Sequence, residues 1–291
     1  TVMYNIIALV PNANLDWYKT YWVPGSEGLK QLRMFSNGLD NIYLSVYEML
    51  NKMKRNQLIG TISANYEFSK NLNLMVRSSI DWAAEGRSQQ KPKDAARFPE
   101  GMFRTQDIDQ KETNTDFLLT YKPTLAKDFE TTFTFGGSTM FNSYKMISLS
   151  ADRLRYPGIY TFANVQDKVE SSSVTSEYAV NSLYGMIQTS YKNYLFADFT
   201  SRVDWASVLA SRSSTSNVSF FYPSLNLSGL LSEMIKLPKS ISFWKVRASW
   251  SQVGGGGTTP YRTGYYYIPK SVYPSGMANP TFISNENLKN E

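Results

Sequence analysis

LYGMIQTSYKNYLFADFTSRVDW, residues 183–205, decides the fold. Its odd-numbered positions read Leu183, Gly185, Ile187, Thr189 and Tyr191, then Leu195, Ala197, Phe199, Ser201, Val203 and Trp205. The even-numbered positions, taken with Ser182, supply Gln188, Ser190, Asp198, Thr200, Arg202 and Asp204. Side chains alternate across a strand, so this period of two predicts two strands, each with one apolar and one polar face. Lys192-Asn193 between them predicts a tight hairpin turn.

The same rhythm extends in both directions. Upstream, Leu58, Gly60, Ile62, Ala64, Tyr66 and Phe68 alternate with polar neighbours; Ser69-Lys70-Asn71 predicts a turn, and Leu72, Leu74, Val76, Ser78, Ile80 and Trp82 follow. A second pair runs through Thr115, Phe117, Leu119 and Tyr121, then Phe129, Phe133, Phe135 and Phe141. Downstream, Phe221, Leu225, Leu227 and Leu231 precede Trp244, Val246, Ala248 and Trp250. Connections are expected to be short at 69–71, 123–128, 192–193 and 232–240, and long at about 83–109, 143–172, 206–217 and from 253 onward. One rim short and the other long is the asymmetry of outer-membrane barrels, whose periplasmic turns are short and extracellular loops long.

A soluble sandwich also alternates, so three further features separate the two. The strands run to roughly a dozen residues, beyond the usual ~5–6. Tyr66, Phe68, Trp82, Tyr121, Tyr191, Trp205 and Trp244 collect at the ends of the apolar faces, as interfacial girdles do. The opposite faces carry charges and amides suited to a wet lumen. The expected fold is therefore all-β, a fragment of a large antiparallel transmembrane β-barrel.

Composition removes other classes. The 291 residues contain no Cys and no His, which excludes disulfides, thiolate chemistry, His-ligated zinc and Ser-His-Asp catalysis. With 14% aromatics and only 19% charged residues the chain is not a disordered one. The net charge of +6 has no dense basic run behind it; Lys52, Lys54 and Arg55 read as a solvated or headgroup-level patch, and no nucleic-acid partner is expected. No run of about 18 apolar residues predicts a membrane helix. The chain opens at Thr1 without a signal peptide and reads as a fragment.

Two regions are expected. Residues 1–53 read as one barrel strand (Val2 to Val10) followed by a long aromatic-rich extracellular loop, with a short helix near Asn41 to Met53. Residues 54–291 read as successive antiparallel hairpins. Gly254 to Gly257 lacks the Lys-Ser or Lys-Thr of a phosphate loop and reads as a flexible loop. Asp107, Asp109 and Glu112 lack the spacing of a calcium loop, so no metal and no cofactor is expected.

Several phrases carry a resemblance: Asn114-Thr115-Asp116-Phe117-Leu118-Leu119, Gly136-Gly137, Asn181-Ser182-Leu183-Tyr184-Gly185, Tyr191-Lys192-Asn193-Tyr194-Leu195 and Arg202-Val203-Asp204-Trp205. They continue through Phe221-Tyr222-Pro223-Ser224, Phe243-Trp244-Lys245-Val246-Arg247 and Val253-Gly254 to Asn287-Leu288-Lys289. In this order they resemble the middle and later barrel of SusC/RagA-type TonB-dependent outer-membrane transporters. Ile42, Asn56 and the Gly254 to Gly257 run depart from the family's usual Pro, Asp and Asn-Asp. The resemblance implies a barrel of about 22 strands in the intact protein, of which roughly nine fall here. It also implies an N-terminal plug, a TonB box and a SusD-like surface lipoprotein as lid.

Function is then expected to be TonB-dependent import of large nutrients, glycans or oligosaccharides and also peptides, in a SusCD-like complex embedded in outer-membrane lipid of a Bacteroidetes-like cell. No catalysis is expected. Loop aromatics offer stacking surfaces for substrate: Trp17, Tyr18, Tyr21, Trp22, Tyr156, Tyr160, Phe162, Tyr261, Tyr265, Tyr266 and Tyr267. Packing of loops or meeting the lid are their competing roles. Lumen-facing Arg77, Asp81, Asp198, Arg202, Asp204, Lys245 and Arg247 are candidates to hold the plug or select solutes, against simple charge pairing in a wet interior. The alternative function is a passive outer-membrane barrel carrying an adhesin or a carboxylate-based hydrolase site in its loops.

Overall fold

The computed structural model describes all residues except 1, 10, 34–37, 239, 256–258, 265–266, 270–275, 279–282 and 290–291. Its main element is one antiparallel eight-stranded sheet in strict sequence order. The strands are β1 (Asn51–Ser69), β2 (Leu72–Ala95), β3 (Phe98–Tyr121), β4 (Phe129–Ala151), β5 (Glu170–Tyr191), β6 (Leu195–Ala206), β7 (Ser219–Leu230) and β8 (Lys245–Ser251). A separate two-stranded ribbon pairs β9 (Ile268–Pro269) with β10 (Met277–Ala278). Among the described residues no helix is long and apolar enough to cross a membrane, which says nothing against crossing by strands.

Register confirms the two faces. Leu183 lies opposite Val203, Ile187 opposite Phe199 and Tyr191 opposite Leu195. Across the next seam Val203 meets Phe221, Phe199 meets Leu225 and Ala197 meets Leu227, and then Leu225 meets Trp250. The intervening positions pair polar with polar: Gln188 with Asp198, Asp198 with Asn226, Asn226 with Ser249. A slip of one residue would exchange the faces, so alternation fixes this register.

The hairpin at Lys192-Asn193 shows how the turn helps. Both residues have positive φ, 50° and 57°, and the Tyr194 amide donates to the Tyr191 carbonyl at 3.2 Å. That is the doubly left-handed two-residue turn whose twist matches the flanking strands.

Large apolar side chains on one face remain exposed: Leu195 40%, Phe199 44%, Phe221 56% and Trp250 60%. Fully buried side chains are small in number and sit elsewhere, chiefly Leu44, Leu154 and Leu209. A contiguous apolar face left without cover marks an interaction with lipid or protein. In β6 this face runs the eleven residues from Leu195 to Trp205, the ~9–11 that a tilted strand needs to cross a bilayer. In β2 it runs from Leu72 to Trp82, whose indole Nε1 donates to Asp109 Oδ2 at 2.8 Å. An indole with its NH committed to a polar partner suits the membrane–water boundary.

Contacts divide the chain into two units. One comprises Thr1–Leu58, Trp82–Gln110 and Tyr144–Thr175; the other comprises Ile59–Asp81, Lys111–Ser143 and Ser176–Glu291. β1 to β5 pass through both.

Three expectations are corrected. Val2–Ile7 forms a helix, α1, instead of a barrel strand. A short apolar run fits either form, and here backbone hydrogen bonds close within the segment, which packs against the helix α2 (Ile42–Tyr47). The long loop expected at about 83–109 is mostly strand: β2 and β3 are 24 residues each and join across Ala96-Arg97. Likewise β4 and β5 shorten the expected 143–172 loop to 152–169. These extensions carry polar residues on both faces, which erases the alternation that reveals a strand. At ~3.3 Å per residue β2 is about 79 Å long, well beyond the ~25 Å apolar band of a barrel wall.

Candidate functional site

The polar face of the second unit gathers most of the sequence-predicted lumen residues. Arg77 Nε on β2 donates to Asp116 Oδ2 on β3 at 3.0 Å, and Ser78 and Thr115 hydroxyls bond on the opposite face at 2.9 Å. Arg202 on β6 donates from Nε to Asp204 at 2.6 Å and from its terminal nitrogen to Ser182 Oγ at 2.9 Å, while its guanidinium lies 5.6 Å from the Tyr184 ring centroid. Arg77, Ser79, Asn114, Asp116, Ser138, Tyr184 and Arg202 line one open polar depression of about 440 Å³. Asp81 lies exposed farther along β2.

A second depression, about 340 Å³, is lined by Asp198, Asn226, Ser228, Lys245, Arg247 and Ser249. Two cations here face one carboxylate, and Lys245 Nζ also stands 5.5 Å from the Phe196 ring. The part-exposed ion pairs Arg77–Asp116 and Arg202–Asp204 contribute about 0–1 kcal/mol each, so stability does not account for the clustering. Together the two depressions form a polar face of hydrogen-bond donors, acceptors and charges open to solvent.

Tyr184, which the alternation left unmarked, organises this face. It lies over Gly136, where a β-carbon would clash with the edge of the Tyr184 ring. On the other face a β-carbon at Gly137 would sit 2.7 Å from Phe117 and 2.9 Å from Leu183. Glycine in a strand interior marks close approach by a neighbour, and the paired glycines accept one aromatic ring on each side.

Loop aromatics of the first unit form a different group. Tyr21 stacks on Tyr47 at 6.1 Å, Tyr47 on Tyr43 at 6.2 Å, and Tyr21 tilts against Trp22 at 5.8 Å. The Tyr21 hydroxyl donates to Glu48 at 3.1 Å; burial, with the nearby Glu48 charge second, raises its pKa. Asn41, fully buried, caps α2 by accepting from the Tyr43 amide, and its amide donates to the Tyr18 and Leu32 carbonyls. Trp17 lies 68% exposed on a single 3₁₀ turn, Leu15–Tyr18. The sequence missed Tyr43 and Tyr47; their spacing of four on a helix that follows an Asn cap was the available signal.

Tyr156 is 61% exposed on a loop fastened by Asn164, which accepts from the Tyr156 amide at 3.0 Å and donates to the Tyr156 and Ile159 carbonyls at 2.7 Å. Phe162 packs on Phe103 at 5.0 Å. Tyr160 is half-buried, and burial followed by the Glu48 charge pushes its phenol up to about 12. In the second unit Tyr261 is 47% exposed and its oxygen accepts from the Glu177 amide at 3.3 Å. Tyr267 is exposed. Tyr265 and Tyr266 lie outside the described residues.

Among the described residues no cluster of three acidic side chains is disposed to hold a metal. Asp107 and Asp109 lie within β3, not in a loop, and Glu112 accepts from Asn114 and Asn142 amides.

No protein-family model matches this sequence, and no curated protein matches it. The fold does match solved structures. The structure of the RagAB peptide transporter superposes with a TM-score of 0.75 at 13% identity, covering 89% of this chain and 29% of the other. The RagAB peptide importer gives 0.75 at 14% identity in its closed-closed state and 0.70 at 15% identity in its open-open state. This chain therefore has the fold of part of a SusC/RagA-type transporter barrel, and spans 29–30% of the length of the chains it matches.

Proposed function

We propose that this chain is a segment of the barrel wall of a TonB-dependent outer-membrane importer of the SusC/RagA type. The observation that carries the reading is the apolar face of about one bilayer crossing, exposed from Leu195 to Trp205 and continued on β5 and β7, backed by a hydrogen-bonded polar face. Lipid accepts the first and a water-filled conduit the second. The likeness to the RagAB peptide importer supports the fold on which such transport is built.

In this reading the barrel breaks no bond. Arg77, Arg202, Asp204, Lys245 and Arg247 present charge to a plug or to passing solute, and TonB acts through a region outside this segment. The aromatic stack Tyr21, Tyr43 and Tyr47 and the exposed Trp17 and Tyr156 face a SusD-like lipoprotein or an oligomeric substrate, glycan or peptide. In this reading the nearby carboxylates are structural: Glu48 accepts from Tyr21, and Asp40 and Asp94 accept from Gln31, Asp94 also from Arg33. The test is uptake of oligosaccharides and of oligopeptides by cells carrying the full-length protein, with and without TonB. Uptake of either class that vanishes on TonB loss is expected; uptake that persists, or a protein recovered in the soluble fraction, would refute the proposal.

A further inference from the structure

We infer that the outer face of the second unit carries a specific site for an anionic glycerophospholipid at the short-turn rim. The inference rests on the membrane reading above but not on import.

Small residues interrupt the apolar face at several places. Across β6 to β8 three of them, Ala197, Gly229 and Ala248, fall on neighbouring strands, with Leu195 opposite Gly229 and Leu227 between Ala197 and Ala248. An apolar groove of about 450 Å³ results, walled by Tyr191, Leu195 and Val246. One further wall is unusual. After β7 the chain makes a single helical turn, α3 (Leu231–Met234), and folds back over the outer surface, so that Met234 sulfur reaches 3.8 Å from the position a β-carbon on Gly229 would occupy. Such a groove takes an acyl chain along its small-residue floor.

The mouth fits a headgroup. Tyr191 packs on Phe129 at 4.8 Å and edge-on to Tyr194 at 5.7 Å, an aromatic cluster of the interfacial kind. Lys192 Nζ stands 5.2 Å from the Tyr191 ring and 3.8 Å from Asp128. The three connections around the groove carry Lys122, Lys127, Lys192 and Lys236 against Asp128 and Glu233, a net positive rim among the described residues. Basic clusters beside an apolar slot select anionic over zwitterionic lipid. All four lysines are exposed.

The test is native mass spectrometry of the detergent-purified full-length protein with palmitoyl-oleoyl phosphatidylglycerol or phosphatidylcholine, lipids that differ only in headgroup. Wild type should retain one phosphatidylglycerol in clear preference. Lys192→Gln should reduce that preference about fivefold, the effect of one interfacial lysine. Ala248→Phe, which fills the groove from the lipid side, should abolish retention of both lipids while leaving the barrel resistant to detergent unfolding; Ala197→Leu serves if that variant does not assemble. Equal retention of both lipids by wild type, or unchanged retention in a folded groove-filled variant, would overturn the inference. TonB-dependent uptake is scored separately, so loss of the lipid site and failure of the import reading are distinguishable.

Discussion

Gly136 and Gly137 each make room for a ring, and that makes them the most exacting positions in the sheet. A methyl at Gly136 must displace Tyr184, which is itself held beneath the Arg202 guanidinium. Gly136→Ala should cost about 1–3 kcal/mol, the usual range for overpacking, read as a lower urea midpoint in detergent; adding Tyr184→Ala should recover part of it. Asn164 is 6% exposed and satisfies three backbone groups of one loop. Asn164→Ala strands those groups, at about 1–3 kcal/mol of local stability, and amide exchange should rise over residues 153–166 with the strands unchanged. Tyr160 keeps its proton when buried, so the docked loop is fully held below pH 10 and loosens as pH climbs towards 12. The phenolate absorbance of wild type minus Tyr160→Phe should show its transition near 12, not near 10.

Strand by strand, adjacent residues should behave as opposites. Phe199 and Thr200 are neighbours at the middle of β6, one on the exposed apolar face and one bonded to Ser224 across the polar face. Phe199→Arg should destabilise the folded barrel by about 2–4 kcal/mol, whereas Thr200→Arg should leave the unfolding midpoint nearly unchanged. This opposition was legible in the sequence because β6 separates its faces cleanly. The outer halves of β2 and β3 were not: Glu85, Arg87, Gln89 and Lys91 alternate with Gly86, Ser88 and Gln90, and polar residues on both faces leave no period to read. Their strand character comes from the ladder with the neighbouring strand, information held in other segments. Val2–Ile7 failed for a related reason, since a short, mostly apolar run suits a helix as well as a strand.

For the molecule as a whole, the sheet's outermost strands β1 and β8 each pair on one side only among the described residues. Both carry exposed apolar side chains, Ile62 at 75% and Trp250 at 60%. Open edges of that kind recruit further strands, so residues 1–291 expressed alone should self-associate in detergent, as sedimentation would show, while the full-length protein should not. The candidate site divides along similar lines. The charges Arg77, Asp198, Arg202, Asp204, Lys245 and Arg247 were legible by parity alone. Tyr184 and the Tyr21, Tyr43 and Tyr47 stack were not, because register and a helix cap bring them together.

The bond between Trp82 and Asp109 has one more consequence. It moors a polar side-chain oxygen at the height where hydrocarbon ends, so a sheath of longer-tailed lipid would have to swallow that oxygen along with the indole. Thinning of the leaflet around Trp82 or tilting of the strand is the cheaper accommodation there, and the bond sets how thick a bilayer this stretch of wall tolerates.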